Sequence, residues 1–213
     1  MKIIGLSGPS GAGKSTLCSR FEQINIPCIN TDDIYHSLTA SPSDCLDELK
    51  SKFGDIIIKN DGSLDRPALA KLVFEGENAH ENLDALNKIT HKYVWQKVNT
   101  LLVKYRDEKK IAAVIDAPAL FSSQIFVSAC DFIISVIADK ESRLERIVQR
   151  DHIPEKLALA RIDAQPSNSF FIENSEYYIT NSGCPDDMNK QLNEILEQEG
   201  IYAVCEEKFS KPL

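Results

Sequence analysis

The chain's 213 residues, 43% of them hydrophobic and 26% charged, suit a single globular domain with a sizeable core and exclude a disordered or fibrous protein. A formal net charge of −8 argues against a general nucleic-acid surface, because neutralising phosphates takes a basic face. No apolar run approaches the roughly 18 residues of a membrane span, and the opening stretch lacks the basic region and cleavage site of an export signal, so a cytoplasmic location with no membrane partner is expected.

Residues 3–7 read as a first strand, 17–24 as a helix that starts near Lys14, and 27–31 as a second strand. The run IAAVID at 111–116 is a third strand, 132–138 a fourth and 177–181 a fifth. Strands alternating with helical patterns predict an α/β fold with a parallel sheet covered by helices on both faces. Runs that are apolar at every position, as in the third and fourth strands, fit strands buried on both sides. Residues 33–110 break the rhythm with polar-faced helical patterns and a turn at Asn60-Asp61-Gly62, and read as a helical insertion. Residues 140–175 form a second excursion, an Arg-rich helix followed by the polar, turn-prone stretch 166–175. That leaves 1–32, 111–139 and 176–213 as the core of one domain. The six cysteines (Cys18, Cys28, Cys45, Cys130, Cys184 and Cys205) show no paired or metal-ligand spacing and are expected to be reduced thiols.

Gly8-Pro9-Ser10-Gly11-Ala12-Gly13-Lys14-Ser15 matches G-x-x-x-x-G-K-[ST] between a predicted strand and a predicted helix, and Thr16 follows. Glycines let backbone N–H groups close around phosphate oxygens, and the helix that follows points its positive end at them. Lys14 has the reach for the β- and γ-phosphates, and the Ser15 hydroxyl can ligate Mg²⁺. The pattern predicts an ATP site built from Gly11, Ala12, Gly13, Lys14, Ser15 and Thr16, with ATP and Mg²⁺ as cofactors.

Asp32 and Asp33 follow the second strand, where ligands of open α/β sheets bind. A carboxylate there can accept a hydroxyl proton; either Asp can equally cap the next helix. Asp116 ends the third strand, where an acidic residue can hold Mg²⁺ or its water, or simply form a turn with Pro118. Of seven arginines, four (Arg143, Arg146, Arg150 and Arg161) fall within 19 residues, and the first three share one helix face. Such a face is either solvated, with Glu141 and Glu145 offsetting it, or a lid that meets ATP phosphates.

Beyond the phosphate loop, the ordered set INTDDI (29–34), FGDIIIKNDGSLDRPALAKLVF (53–74), LNKITH (86–91), VIDAPALF (114–121), RIDAQ (161–165) and YYITNSG (177–183) resembles the dephospho-coenzyme A kinase family over almost the whole chain. The resemblance implies the nucleoside monophosphate kinase fold with strand order 2-3-1-4-5, and transfer of phosphate from ATP to the ribose 3′-hydroxyl of dephospho-CoA, the last step of CoA biosynthesis. It implies a catalytic set of Lys14, Asp32 and Arg146, with Asp32 beside the acceptor ribose. Arg66, His91 and Asp116 then belong to the substrate side, and Asn181 and Gly183 to a turn near adenine. It further implies an acceptor-binding insertion over 33–110 and a lid over 140–172. The apolar Phe170, Phe171 and Ile172 are expected to dock when such a lid shuts, and the chain is expected to be a monomer. The chain departs from the family pattern at Asn30 (usually Asp), His36 (usually Arg), Lys92 (usually Pro) and Ser122-Ser123 (usually ending in Glu).

A kinase for another acceptor, such as a nucleoside monophosphate, is the alternative within the same fold, against which the DGSLDR segment stands. A guanine-nucleotide switch lacks its N-K-x-D motif, since Asn87-Lys88 is followed by Ile89-Thr90.

Overall fold

A central strand, β1 (Lys2–Ser7), is flanked on one side by β3 (Ala112–Asp116) and β2 (Cys28–Asn30), and on the other by β4 (Phe132–Ile137) and β5 (Tyr177–Thr180), giving the order β2-β3-β1-β4-β5. The computed structural model describes residues 1–40, 42–75, 77–181 and 185–201. Pairing is parallel, with Leu6 opposite Asp116 and Ser7 opposite Ser135, so the carboxyl ends of β1, β3 and β4 lie along one edge. Every residue of β3 and β4 is buried, as all-apolar strands covered on both faces must be. The fold class and strand order are those expected from the sequence.

One face of the sheet packs against α1 (Lys14–Gln23) and α10 (Pro185–Gln198), which contribute Leu17, Phe21, Met188, Leu192 and Leu196 to a cluster with Ile4, Leu6, Val114, Ile134 and Val136. Each such fully buried side chain contributes about 1.5–3 kcal/mol of burial. At the end of the edge strand β5 the Thr180 N–H donates to Gln191 Oε1 (2.9 Å) and the Gln191 amide donates to the Thr180 carbonyl (3.1 Å), so this one residue is paired as if by a neighbouring strand.

The chain contacts divide the molecule into two compact units, Met1–Ile29 with Leu102–Leu213, and Asn30–Leu101. The second unit holds α2 (Thr31–Thr39), α3 (Asp44–Phe53), α4 (Arg66–Phe74) and most of α5 (Ala79–Asp107). Three of its helices begin on side-chain caps: Asn30 accepts from the N–H groups of Asp32 and Asp33, Ser43 from Leu46, and Asp65 from Ala68. Between α3 and α4 the chain turns at Asp61-Gly62, Asp61 accepts from Ser63, and a bridge pairs Ile58 with Leu64. Lys92 (2.6 Å) and Tyr93 (2.7 Å) of α5 both donate to Glu48 of α3, which pulls the Glu48 carboxyl below its usual range. Lys92 therefore adds a tie between α3 and α5. Replacing Asn30 by Ala leaves two N–H groups of α2 without their cap and is expected to cost about 1 kcal/mol in a urea unfolding experiment. An unchanged midpoint would show that the cap carries no stability.

The excursion at 140–175 is helical throughout most of its length. α7 (Lys140–Asp151) and α8 (Glu155–Asp163) bury Ile147, Ala158 and Ile162 between them. The stretch expected to be turn-prone contains α9 (Asn168–Glu173), started by the Ser167 hydroxyl and tied to the Ala138 carbonyl by Asn168. Phe170 and Phe171 pack on Phe121 at 5.7 and 6.2 Å between ring centres. Composition misled here, because one hydroxyl cap and three successive apolar residues outweigh the polar remainder.

Candidate active site

The loop leaving β1 turns back on itself to start α1. Gly8 (φ 138°) and Gly13 (φ 108°) take backbone conformations that L side chains avoid. A Cβ on Gly8 would stand 2.2 Å from the Val136 carbonyl oxygen, and one on Gly13 would stand 2.1 Å from Asn181 Nδ2. Both sites therefore need glycine for shape and for space. No acidic residue occupies the first turn of α1, where Ser15 and Thr16 are exposed, so the positive helix end faces outward uncompensated. Lys14 arches over the loop, its Nζ donating to the Gly8 carbonyl at 2.6 Å.

Among the described residues, four side chains, Arg146, Asn181, Arg143 and Gln165, hold this loop to the rest of the first unit. Arg146 of α7 donates to the Gly11 carbonyl (3.2 Å) and to the Asn181 carbonyl (2.8 Å), and Asn181 Nδ2 donates to the Ala12 carbonyl (2.8 Å). Arg143, 5% exposed, donates through Nε to the Ser10 carbonyl (2.9 Å) and through Nη2 to Gln165 Oε1 (3.0 Å). The same Gln165 oxygen accepts from the Ser10 N–H at 2.9 Å. Burial pulls the Arg143 guanidinium below its ordinary range. Arg150, by contrast, is paired with Asp151 (2.7 Å), to which Arg161 also donates. The single arginine face expected from spacing thus has three fates: a buried loop tie, a loop-to-Asn181 bridge, and a surface ion pair. Gly183, expected beside Asn181, lies outside the described residues.

Asp116, 8% exposed, ends β3, and its carboxylate lies against the Cys18 thiol one turn along α1 from Ser15. Cys28 also meets Cys18, donating to its carbonyl at 3.5 Å. The Cys28 side chain, burial and Asp116 together push the Cys18 thiol far up. Burial, with nearby acids adding to it, pushes Cys45 up to about 11 and Cys130 to about 12. Raised in this way, Cys18, Cys45 and Cys130 attack disulfides slowly, and these three and Cys28 form no disulfide. Dithiothreitol is therefore expected to leave turnover and melting temperature unchanged; a clear loss of stability on reduction would overturn this. Cys184 and Cys205 lie outside the described residues.

In the second unit, Asp32 and Asp33 are exposed in the first turn of α2. Because Asn30 is the cap, neither aspartate is needed for that task. Arg66 opens α4 with its Nη1 3.5 Å from His36 Nε2 and its guanidinium 5.8 Å from the centre of the Tyr35 ring, a cationic corner next to an aromatic face. His91 is half-buried on α5, and burial holds its pKa below the usual value. Among the described residues no group of three or more His, Cys, Asp or Glu can hold a metal, and no helix is long and apolar enough to cross a membrane.

A family model described as dephospho-CoA kinase matches residues 2–187. The chain belongs to the dephospho-CoA kinase family. The dephospho-CoA kinase of a Bacillus cereus strain is 33% identical over 199 residues, covering 93% of this chain and 98% of that protein. A crystal structure from Thermus thermophilus superposes with a TM-score of 0.78 at 26% identity, over 92% of this chain and 97% of that one. The dephospho-CoA kinase from Campylobacter jejuni shares the fold, with a TM-score of 0.65 at 24% identity over 93% of this chain and 97% of its own. As a member of the dephospho-CoA kinase family the chain is an ATP-using phosphotransferase.

Two residues of this dephospho-CoA kinase family member have roles that only the structure shows. Asn30 caps α2, for which an Asn just before Thr-Asp-Asp is the available sequence signal. Gln165 meets Ser10, 155 positions away, and no local pattern links the two.

Proposed function

We propose that this chain transfers the γ-phosphoryl group of ATP to the ribose 3′-hydroxyl of dephospho-CoA, giving CoA and ADP. The observation that carries this reading is the likeness to named dephospho-CoA kinases across 93% of the chain, well beyond the phosphate loop. The backbone N–H groups of residues 11–16 and the Lys14 ammonium cradle the ATP phosphates, with Asn181 beside the adenine. The 3′-oxygen forms a bond to the γ-phosphorus as the bond to the β,γ-bridging oxygen breaks. The hydroxyl proton passes to the Asp32 carboxylate, and ADP leaves. Arg66 and His91 contact the acceptor, Asp116 lines the substrate side, and Arg146 offsets charge on the transferring group. Residues 140–172 act as the lid. The enzyme works as a cytoplasmic monomer.

Mg²⁺ fits the donors available. Ser15 offers an exposed hydroxyl and Asp116 a carboxylate, both hard oxygens of the kind that suits an ion which keeps several waters and phosphate oxygens. Ser15 would hold it directly, and when bound it supplies charge neutralisation on the phosphates.

Incubation with ATP and a panel of acceptors, read by mass, is expected to add one phosphoryl group to dephospho-CoA. Phosphorylation of nucleoside monophosphates alone would reject the acceptor while keeping the kinase reading. Asp32→Asn is expected to depress turnover by about two orders of magnitude or more while ATP affinity stays near normal, as befits a lost general base. An equal or larger loss with Asp33→Asn would show that the wrong carboxylate was chosen.

A further inference from the structure

We infer that Gln165 is a positioning residue for the phosphate loop: one neutral side-chain oxygen holds the Ser10 N–H and the Arg143 guanidinium together and so sets the loop's shape for nucleotide. This rests on the reading of the loop as the ATP site.

The peptide of Ser10 is tied at both ends. Its N–H donates to Gln165 Oε1 (2.9 Å) and its carbonyl accepts from Arg143 Nε (2.9 Å), while Arg143 Nη2 donates to the same Gln165 oxygen (3.0 Å). Three segments close one ring: the loop, the first turn of α7, and the residues just after α8. A loop with three glycines at positive φ, Gly8, Gly11 and Gly13, is free to take many shapes, and ordering it on nucleotide binding costs affinity. The ring does that ordering beforehand.

The oxygen's neutrality matters as much as its position. Arg143 is 5% exposed, and its acceptors in this ring, a carbonyl and an amide, carry no charge. The ring therefore places no negative charge against it, and the guanidinium's charge acts on anions bound at the loop. A glutamate at 165 would make stronger bonds to both donors, but it would cancel that charge and set a carboxylate beside the phosphates. In a chain with net charge −8, a neutral acceptor spares the local positive field.

The test uses the full chain with Gln165→Leu and Gln165→Glu. Amide exchange at Ser10 is followed by NMR, ADP affinity by calorimetry, and KM for ATP and dephospho-CoA by kinetics. Gln165→Leu is expected to speed Ser10 exchange and to raise the ADP Kd and the KM for ATP roughly tenfold, the size of one lost hydrogen bond to a charged group. KM for dephospho-CoA should stay unchanged, a split that general loosening of the fold would not produce. Gln165→Glu is expected to keep Ser10 protected and yet bind ADP more weakly. Wild-type Ser10 exchange and wild-type ADP affinity in Gln165→Leu overturn the inference. If the leucine variant does not fold, the glutamate variant decides: ADP bound as tightly as by wild type overturns the need for a neutral oxygen. Failure of the wild-type chain to bind ADP would instead remove the nucleotide reading itself.

Discussion

Lys14→Ala is expected to lower turnover by a factor of about 10²–10³ or more while the protein stays folded. The reasoning starts from where the side chain lies. Its Nζ donates to Gly8 of its own loop at 2.6 Å, so truncation removes a local contact and opens no hole among the buried residues of the sheet. Stability should therefore change by roughly 0.5 kcal/mol or less, the usual range for positions away from the core. Activity has no such shelter. Phosphoryl transfer depends on positioning and on charge placed against the oxygens of the moving group, and an ammonium that can swing from the Gly8 carbonyl to the phosphates supplies both. Lys14→Arg keeps the charge but is too bulky for the tight loop, and should recover only a small part of the loss. Turnover by coupled ADP release and melting by circular dichroism decide the matter together. A folded Lys14→Ala enzyme with near-normal turnover rejects the loop as the catalytic phosphate site.

The sheet was readable because its signals are local and redundant. FIISVI and AAVID are apolar at every position, and a strand of that kind can be stable only where both faces are covered. The phosphate loop was equally legible, since glycine, lysine and serine at that spacing between a strand and a helix leave few other structures. What escaped were contacts set by long-range packing. Spacing puts Arg143, Arg146 and Arg150 on one face of α7, yet seven residues of helix rise about 10 Å, so each meets a different neighbour. Arg143 meets Ser10, Arg146 reaches Gly11 and Asn181, and Arg150 turns to Asp151. The Cys18–Cys28 contact was hidden for the same reason: their ten-residue separation spans a helix and a turn and fits no pairing motif. For Asp32 and Asp33 the sequence left cap and catalyst evenly balanced, and the structure gives the cap to Asn30.

Arg146→Ala is expected to cut turnover by about two orders of magnitude, more than it weakens ATP binding. Arg146 spans two segments, with Nη1 on the Gly11 carbonyl and Nη2 on the Asn181 carbonyl. Two carbonyls held by one planar fork fix the plane of the guanidinium beside the loop, where charge builds on the transferring group. Two effects of truncation can be separated. Loss of the bridge between the loop and Asn181 loosens the ground-state site and raises KM for ATP. Loss of the positive charge acts where negative charge grows, and lowers kcat. The second is expected to dominate, because Asn181 Nδ2 still ties to the Ala12 carbonyl and keeps part of the bridge. Arg146→Lys should recover some kcat through its charge and little of the bridge, since one ammonium cannot replace a fork that reaches two carbonyls. Amide exchange across 140–172 is expected to slow further when ADP and dephospho-CoA are both present, as a lid closing on its ligands requires. If Arg146→Ala raises KM for ATP and leaves kcat intact, Arg146 only props the loop and its catalytic role fails. If exchange across 140–172 is unchanged by both ligands, those residues form a fixed wall of the site and do not act as a lid.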